Sequence, residues 1–252
     1  MRVVGVIPSR WGSTRFPGKS LHPVCGKPLV RWVAEAALRA KSLDEVVVAT
    51  DDARIAGALA GMPGVRVAMT RPDHPSGTDR AAEAASPRDG DIVVNIQGDE
   101  PLIEPGLIDA LAWRLRDDAR CEMATAATRV TSLRDLEARS VVKVVCDCGG
   151  GALYFSRLPI PCRRDGGPEL GMYLRHLGIY AYRGAFLKRL VAEPPCALEL
   201  AESLEQLRAL WLGARIAVIE TPRAGVGVDT PEDVAVVEAL LRERKQAAPM
   251  GS

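Results

Sequence analysis

The sequence predicts an α/β protein with a mostly parallel central sheet. In the first half of the 252-residue chain, apolar segments of strand length alternate with amphipathic segments of helical period. Two of the strand segments, EVVVAT and DIVVNI, are nearly continuous runs of apolar, mostly β-branched residues. Such runs are typical of strands that are buried on both faces and therefore parallel.

Four strands and four helices are predicted in this first half. The strands are expected at Val3–Pro8, Glu45–Thr50, Val65–Thr70 and Asp91–Ile96. The helices are expected at Pro28–Ala40, Asp52–Ala60, Thr78–Ala85 and Pro105–Asp117, and two of them begin with a proline, which the first helical turn tolerates.

The middle of the chain predicts antiparallel strands. MATAATRV, VVKVVCD, ALYFS and RHLGIYAYR are strand-like, and three glycines between VVKVVCD and ALYFS indicate a hairpin turn. ALELAESLEQLRALWLG predicts one helical run that ends at Gly213, and RIAVIE and Pro231–Lys245 complete the chain as a strand and a helix. We expect one domain over residues 1–246, with an antiparallel and helical insert at about 150–215, and a disordered tail at 247–252.

Charge and hydropathy exclude several classes of partner. With 33 basic and 32 acidic residues, the net charge of +1 gives no reason to expect nucleic acid or an anionic membrane surface as a partner. No apolar run approaches the roughly 18 residues of a membrane helix, and the run before Pro8 is too short for a signal peptide. We therefore expect a cytoplasmic protein, whose six scattered cysteines are buried free thiols.

The segment IPSRWGSTRFPGKSL, which follows the first strand, resembles a miscounted P-loop. A P-loop has four residues between its first glycine and the Gly-Lys-Ser/Thr that opens a helix, whereas here five separate Gly12 from Gly18. A proline and a glycine after Lys19 also delay the next helix until Pro28. The segment is therefore not a P-loop.

Three cations on this segment indicate a different way of binding phosphates. Arg10, Arg15 and Lys19 lie on a glycine-containing loop at the carboxyl end of a predicted parallel strand, where α/β proteins bind ligands. Side chains of this kind can hold a triphosphate directly, with help from backbone N–H groups. The alternative is a solvated basic turn.

Carboxylates follow two other segments of the predicted sheet. VVNIQGDEP ends a buried strand and then delivers Asp99 and Glu100, and the glycine-rich GVGVDTPED carries Asp229. One or two carboxylates together with phosphate oxygens are the usual ligands of Mg²⁺. The alternative for each carboxylate is that it caps the following helix.

Two further stretches carry polar residues that fit either a ligand site or a structural role. TRPDHPSGTDR could hold a base or phosphates, or its Ser76 or Thr78 could simply cap a helix. In RHLGIYAYR, His176 and Tyr180 fall on one face of a strand by period-two counting.

Together these motifs resemble the 3-deoxy-manno-octulosonate (KDO) cytidylyltransferase family, also called CMP-KDO synthetases. The resemblance runs from about Val3 to Glu238 and includes HPSGTDR, VNIQGDEP, RHLGIYAYR, LEQLRALW and GVGVDTPED. It implies a Rossmann-like, GT-A-like nucleotide-diphospho-sugar transferase fold and a homodimer. It also implies the reaction of CTP with KDO to give CMP-KDO and pyrophosphate, with one or two Mg²⁺ ions, for lipopolysaccharide biosynthesis.

The resemblance also implies roles for individual residues. For the nucleotide, it implies Arg10 and Lys19 on the triphosphate with Ser13 and Arg15 beside them, and Arg71, Ser76 and Thr78 along the cytosine and ribose. For Mg²⁺, it implies Asp99 and Asp229 as ligands. Around KDO, it implies Gln97, Arg157, His176, Tyr180, Glu205 and Gln206. The chain departs from the family pattern at Cys162, where an aromatic residue is expected, and in the short loop that follows, which bears on the dimer.

Two other functions remain open from the sequence. One is a cytidylyltransferase for a related acid sugar, such as 8-amino-KDO or a nonulosonic acid. The other is a non-catalytic nucleotide-binding protein, which predicts the loss of a loop cation or metal carboxylate, although Arg10, Lys19, Asp99 and Asp229 are all present.

Overall fold

The computed structural model describes residues 1–12, 16–222 and 225–247. They fall into two compact units. The first unit consists of Val3–Ser86, Asn95–Asp109 and the described part of Gly225–Ser252, and the second of Met1–Arg2, Pro87–Val94 and Ala110–Ala224. The chain therefore passes between the units five times, and neither unit is a continuous stretch of sequence.

The strands alternate with helices as the sequence predicts. In chain order the strands are β1 (Val3–Pro8), β2 (Pro23–Val24), β3 (Lys27–Pro28), β4 (Glu45–Thr50), β5 (Val65–Met69), β6 (Ile92–Asn95), β7 (Met123–Arg129), β8 (Lys143–Cys146), β9 (Ala152–Ser156), β10 (Leu174–Arg183) and β11 (Ile216–Glu220). The α-helices are α1 (Leu29–Leu38), α2 (Ala53–Ala58), α3 (Gly77–Ala85), α4 (Pro105–Asp117), α5 (Leu133–Glu137), α6 (Gly184–Ala192), α7 (Ala197–Glu202), α8 (Gln206–Trp211) and α9 (Pro231–Ala247). Two 3₁₀ turns lie at Lys19–Leu21 and Leu170–Met172.

The first unit contains the parallel strands β1, β4 and β5. β4 pairs in parallel with both neighbours, and all but one of its six residues are buried, as the apolar run predicts. Because the three strands run in the same direction, the loops that begin at Ser9, Asp51 and Thr70 leave the same edge of these strands.

The second unit contains the predicted antiparallel segment. Its strands follow the order β11, β7, β10 and β6; β10 pairs antiparallel with β7, and β11 pairs in parallel with β7. β8 and β9 form the predicted hairpin, and β8 also pairs with β10. The parallel strands of both units and this antiparallel segment confirm the predicted fold class.

A bulge interrupts β10 opposite Thr125. Leu177 pairs with Ala126 and Tyr180 pairs with Thr125, so two additional residues of β10 lie between consecutive residues of β7. Two extra residues preserve the alternation of faces, whereas one would reverse it. His176 and Tyr180 therefore remain on one face, as the sequence predicts, and they also come closer together than four residues of a regular strand would allow.

Three details differ from the sequence-based predictions. The helical run of residues 197–213 is broken at Ser203, which has a φ of 51° and separates α7 from α8. All six cysteines were expected to be buried free thiols; all six are free thiols, but only one of them, Cys121, is buried. The partly buried ones are Cys25, Cys146 and Cys196, and the exposed ones are Cys148 and Cys162. The last helix continues to Ala247, and the rest of the predicted disordered tail lies outside the described residues.

None of the described helices is both long and apolar enough to cross a membrane.

Candidate active site

The loop after β1 is tied back to the body of the first unit. The backbone N–H of Ser9 donates to Ala49 (2.8 Å), and the Ser9 and Ser20 hydroxyls share a buried hydrogen bond of 2.8 Å. The loop ends at Gly18, whose φ of 70° suits glycine and whose N–H donates to the Trp11 carbonyl. Lys19 then begins a three-residue 3₁₀ turn rather than an α-helix, which confirms that the loop is not a P-loop.

Lys19 brings together the two carboxylates that the sequence predicts as metal ligands. Its ammonium Nζ lies 2.5 Å from Asp99 Oδ2 and 3.4 Å from Asp229 Oδ1, and it also donates to the Val228 carbonyl at 3.2 Å. The Lys19 side chain is only 17% exposed. One ammonium therefore serves two carboxylates that are 130 residues apart in the chain.

Backbone contacts explain why Asp99 lies beside Lys19. β6 ends at Asn95, and the N–H of Ile96 donates to Val6 of β1, so the chain enters the Gln97–Asp99 turn alongside β1. A Cβ atom on Gly98 would lie 2.5 Å from the Pro8 carbonyl oxygen. Only glycine permits this close approach, which places Asp99 at the end of β1.

Asp229 is held in place by its neighbour Val228. The Val228 side chain is fully buried in an apolar cluster with Leu29 of α1 and Val237 of α9, and its N–H donates to the Asp99 carbonyl at 2.8 Å. Burying a valine contributes on the order of 1.5–3 kcal/mol. Core packing therefore fixes the backbone on which Asp229 stands.

Asp233, in the first turn of α9, binds the backbone that precedes the helix. Its carboxylate accepts from the N–H groups of Asp229 (2.9 Å) and Thr230 (2.8 Å). These bonds join the first turn of α9 to the two residues before it, and the alternative role of Asp229 as the helix cap stays a prediction.

The Asp99–Asp229 pair fits a divalent cation. Both carboxylates already approach one cationic group, Lys19 Nζ, and carboxylate oxygens are ligands that Mg²⁺ prefers. Within the described ranges no group of three or more His, Cys, Asp or Glu side chains could hold a metal ion. A Mg²⁺ ion at this pair would take its remaining ligands from phosphates and water.

The remaining residues that the resemblance assigns to the nucleotide lie in the same unit. Arg71 is exposed and its Nε donates to Glu83 Oε2 at 3.1 Å, and that carboxylate raises the pKa of Arg71. Ser76 caps α3 by accepting from the N–H groups of Thr78 and Asp79, which confirms the capping alternative, and Thr78 is buried. Arg10 is exposed on the loop after β1.

Two predicted residues of that loop, Ser13 and Arg15, lie outside the described residues. Gln97 lies in the first unit, in the turn that leads to Asp99, and its carbonyl accepts from the N–H of Glu100. The other predicted sugar ligands belong to the second unit.

Four of these sugar ligands form one cluster in the second unit. The His176 and Tyr180 rings lie 5.5 Å apart, and the Tyr180 hydroxyl donates to Gln206 Oε1 at 3.3 Å. Gln206 is the first residue of α8, and Glu205 is its N-cap residue. The packing of α8 near β10 therefore brings together residues that are up to 30 positions apart in the sequence.

Burial sets the charge states in this cluster. It lowers the pKa of His176 from 6.5 to about 3, so the imidazole is neutral near pH 7. Burial, aided by the negative charge of Glu205, raises the pKa of Tyr180 well above its ordinary value, so the phenol stays protonated. Both side chains therefore offer neutral hydrogen-bonding groups.

Gln206 carries an unsatisfied donor. The residue is 3% exposed, and its amide Nε2 has no hydrogen-bond partner among the residues that the structure describes. A buried donor without a partner costs about 1–3 kcal/mol, which a ligand acceptor would recover.

Arg157 is held by the backbone of the same unit. Its guanidinium donates to the carbonyls of Glu202 (2.5 Å), Arg139 (3.0 Å) and Ser203 (3.2 Å). These bonds use three of its five N–H groups. Two N–H groups remain available for a ligand.

Sequence reasoning missed two buried polar groups near these sites. In the first unit, Arg80 is 3% exposed and donates to Thr70 Oγ1 (2.5 Å) and Asp51 Oδ2 (3.0 Å). In the second unit, Thr125 is fully buried and its hydroxyl contacts His176. A hydroxyl within the otherwise small and apolar segment MATAA was the available signal for Thr125.

Comparison with known proteins gives the relationship of the whole chain. A family model described as cytidylyltransferase matches residues 4–216. The chain is 53% identical to a 3-deoxy-manno-octulosonate cytidylyltransferase of Syntrophobacter fumaroxidans, over 96% of this chain and 98% of that protein. It is 50% identical to the protein of the same name from Geobacter sulfurreducens, over 96% of this chain and all of the relative.

Solved structures agree. A CMP:2-keto-3-deoxy-manno-octonic acid synthetase complexed with CTP matches with a TM-score of 0.90 and 43% identity, over 97% of this chain and 100% of that one. A 4-diphosphocytidyl-2C-methyl-D-erythritol synthase from Anaerococcus prevotii, 15% identical with a TM-score of 0.65 over 96% and 98% of the two chains, shares the fold. This chain therefore belongs to the 3-deoxy-manno-octulosonate cytidylyltransferase family.

Proposed function

We propose that this protein is a CTP:KDO cytidylyltransferase, which converts CTP and KDO to CMP-KDO and pyrophosphate and so activates KDO for lipopolysaccharide biosynthesis. The observation that carries the proposal is the convergence of Lys19, Asp99 and Asp229 in a chain about half identical to enzymes of that name. The non-catalytic alternative predicts the loss of one of these groups.

The first unit would bind the nucleotide. Lys19 and the exposed Arg10 supply positive charge for the triphosphate, as charge-assisted hydrogen bonds. Asp99 and Asp229 would hold one or two Mg²⁺ ions, which would neutralise charge on the phosphates and on the attacking and leaving oxygens. Arg71, Ser76 and Thr78 remain proposed contacts of cytosine and ribose, and Ser13 and Arg15 of the triphosphate.

The Lys19 ammonium can donate hydrogen bonds either to carboxylates or to phosphates. This ammonium lies 2.5 Å from Asp99 Oδ2 and 3.4 Å from Asp229 Oδ1. A phosphate oxygen would compete for the same three N–H donors, because the ammonium is a compact charge on a flexible stem. The carboxylates then need another positive charge, so nucleotide and metal binding should reinforce one another.

The second unit would bind the sugar. Neutral His176 and protonated Tyr180 suit hydroxyl groups, and the unsatisfied amide of Gln206 suits a hydroxyl or carboxylate oxygen. Arg157 has two N–H groups left after its backbone contacts, which suits the sugar carboxylate. Glu205 completes the proposed set of this unit, and Gln97, in the first unit, remains a proposed contact of the sugar.

The reaction needs positioning and charge neutralisation more than a covalent catalyst. The anomeric hydroxyl oxygen of KDO loses its proton to solvent and forms a bond to the α-phosphorus of CTP, the bond from that phosphorus to the bridging oxygen breaks, and pyrophosphate leaves. Arg10 and Lys19 would stabilise the negative charge that develops on the departing pyrophosphate. No side chain is required as a nucleophile.

A homodimer and a cytoplasmic location are part of the proposal. Six large apolar side chains within the insert at about residues 150–215 of the second unit are exposed, as expected for an interface between copies of the chain: Leu153, Leu158, Met172, Leu198, Leu200 and Trp211. The cytoplasm is the location that the sequence predicts.

Pyrophosphate release in the presence of Mg²⁺ tests the proposed function. The purified protein would be supplied with CTP and, in parallel, KDO, 8-amino-KDO or a nonulosonic acid, and each acid sugar would also be paired with ATP, GTP and UTP. We expect release with CTP and KDO. Release with another acid sugar alone would change the substrate, and release with none would leave the non-catalytic alternative.

A further inference from the structure

Thr125 occupies the bulge of β10. Its side chain is fully buried, and its hydroxyl oxygen lies 2.8 Å from the Ile179 carbonyl and 3.2 Å from the Leu177 carbonyl. The same oxygen lies 3.0 Å from Nε2 of His176. One hydroxyl thus joins the backbone of the bulge to the imidazole ring.

The hydrogen-bond count decides which ring nitrogen carries the proton. A hydroxyl has one proton to donate, and both carbonyls can only accept. If that proton went to His176, two carbonyl oxygens would face the lone pairs of Thr125. The hydroxyl therefore donates to a carbonyl, Nε2 of His176 donates to the hydroxyl, and Nδ1 is left with a lone pair.

The charge state is consistent with this arrangement. Burial holds the pKa of His176 far below neutrality, so the ring carries one proton rather than two near pH 7. Within the part of the chain that the structure describes, Nδ1 has no hydrogen-bond partner.

We propose that Thr125 is a positioning residue, which holds His176 in the Nε2–H tautomer and so presents Nδ1 as the acceptor for a hydroxyl of the acid sugar. The sugar part of this inference rests on the proposed function. The tautomer is a property of the protein alone.

The bulge connects the position of Thr125 to the positions of the His176 and Tyr180 rings. In a regular strand His176 and Tyr180 would stand about 13 Å apart along the strand, since each residue adds about 3.3 Å. The two rings lie 5.5 Å apart beside the bulge, and the Thr125 hydroxyl contacts the Leu177 and Ile179 carbonyls of the bulge. The residue that stabilises the bulge therefore also orients the ring that the bulge brings toward Tyr180.

Nitrogen NMR of the imidazole rings tests the tautomer directly. The chain contains three histidines, so uniform ¹⁵N-histidine labelling gives three ring systems, and the His176→Gln variant identifies the signals of His176. At neutral pH we expect a protonated Nε2 and an unprotonated Nδ1. A protonated Nδ1 in the wild-type protein would overturn the proposal.

Three threonine variants separate positioning from general stability. Thr125→Val removes the hydroxyl at nearly constant volume and should mix the tautomers and raise KM for the acid sugar about tenfold, with KM for CTP unchanged. Thr125→Ser keeps the hydroxyl, so it should show the wild-type NMR pattern and a KM for the acid sugar close to the wild-type value. Thr128→Val, at a buried threonine of the same strand outside the bulge, is the matched control and should change neither.

The outcomes separate this inference from the proposed function. Absence of CTP- and KDO-dependent pyrophosphate release in the wild-type protein overturns the function, whereas the NMR spectrum decides the tautomer without any substrate. If Thr125→Val does not fold, the wild-type spectrum still decides the tautomer, and Thr125→Ser still tests the role of the hydroxyl. Equal losses in Thr125→Ser and Thr128→Val, or a wild-type pattern in Thr125→Val, contradict the role of the Thr125 hydroxyl.

Discussion

Charge balance around Lys19 is the reason that we place this residue, and not the other loop cation described, at the centre of the proposed nucleotide site. One positive charge faces two carboxylates, so the cluster keeps a net negative charge. In the proposed function, such a cluster would attract a divalent cation, and Lys19 would become available for phosphate when that cation is bound. Arg10, which is exposed, can meet phosphates without leaving a carboxylate.

Asp99→Asn tests this balance. The substitution keeps the shape of the side chain but removes the charge, so we expect kcat/KM for pyrophosphate release to fall about 10²–10³-fold, with a higher Mg²⁺ requirement. The thermal midpoint should change little, because Asp99 is part-exposed. The control is Asp117→Asn, an exposed acid at the end of α4. Wild-type kinetics in Asp99→Asn would exclude Asp99 from the metal site.

His176 should make stability depend on pH. Its pKa is about 3 in the folded protein and 6.5 as the ordinary value, so between these values only the unfolded chain binds the proton. Stability contributed by the neutral ring is therefore complete above pH 6.5 and decreases by about 1.4 kcal/mol per pH unit as the pH falls toward 3. From this group alone, the free energy of unfolding should be about 2 kcal/mol lower at pH 5 than at pH 7.

Denaturant titrations of the wild-type protein and His176→Gln at a series of pH values measure this effect. Glutamine can still donate to Thr125 but does not titrate. We expect the pH dependence between 5 and 7 to be shallower in the variant. Parallel pH profiles would show that His176 is not buried in its neutral form.

At the scale of elements, the close approach of the β1 end to the turn after β6 sets the position of Asp99. Gly98→Ala should place a methyl group 2.5 Å from the Pro8 carbonyl oxygen, a contact that only a backbone shift can relieve. We expect a loss of activity of at least about 10²-fold, because a shift of about 1 Å at the site has that effect. The thermal midpoint should also fall.

The matched control is Gly106→Ala, in the first turn of α4 of the same unit. A Cβ atom there has no neighbour within 4 Å, and alanine is the better helix former. Activity should be retained and stability should rise slightly. If Gly98→Ala behaves like this control, the approach of the two loops is not what holds Asp99.

The broken helix of residues 197–211 shows an element that local sequence did not reveal. Its residues are good helix formers, yet Ser203 adopts a left-handed conformation that a serine rarely adopts. The break lets the Ser203 carbonyl accept from Arg157 and starts α8 at Gln206. Tertiary contacts thus outweigh helix propensity at this position.

At the scale of the whole molecule, the proposed homodimer is open to a direct test. Leu153 lies on β9, is 61% exposed, and belongs to the apolar set of the second unit. We expect a dimer in analytical ultracentrifugation and a shift toward monomer in Leu153→Asp, because a buried charge without a partner is costly. Val236→Asp, at a 54% exposed valine of α9, should leave the dimer intact. A monomeric wild-type protein would contradict the proposal.

Sequence alone determined the fold class, most element positions and the residues that form the Lys19 cluster. Apolar periodicity placed β1, β4 and α4 at their observed bounds, because buried strands and amphipathic helices leave local patterns. The miscounted glycines excluded a P-loop, because that motif requires a helix directly after its lysine. The family motifs then indicated the enzyme family, which the comparisons confirm.

Only the tertiary structure decided which polar groups share a proton or a charge. The pairing of Lys19 with both carboxylates and the contact of Thr125 with His176 join residues that local patterns treat separately. A hydrogen bond depends on tenths of an ångström between elements distant in the chain, and hydrophobic periodicity carries no such information. Chain packing brings these side chains within bonding distance and thereby determines their charge states.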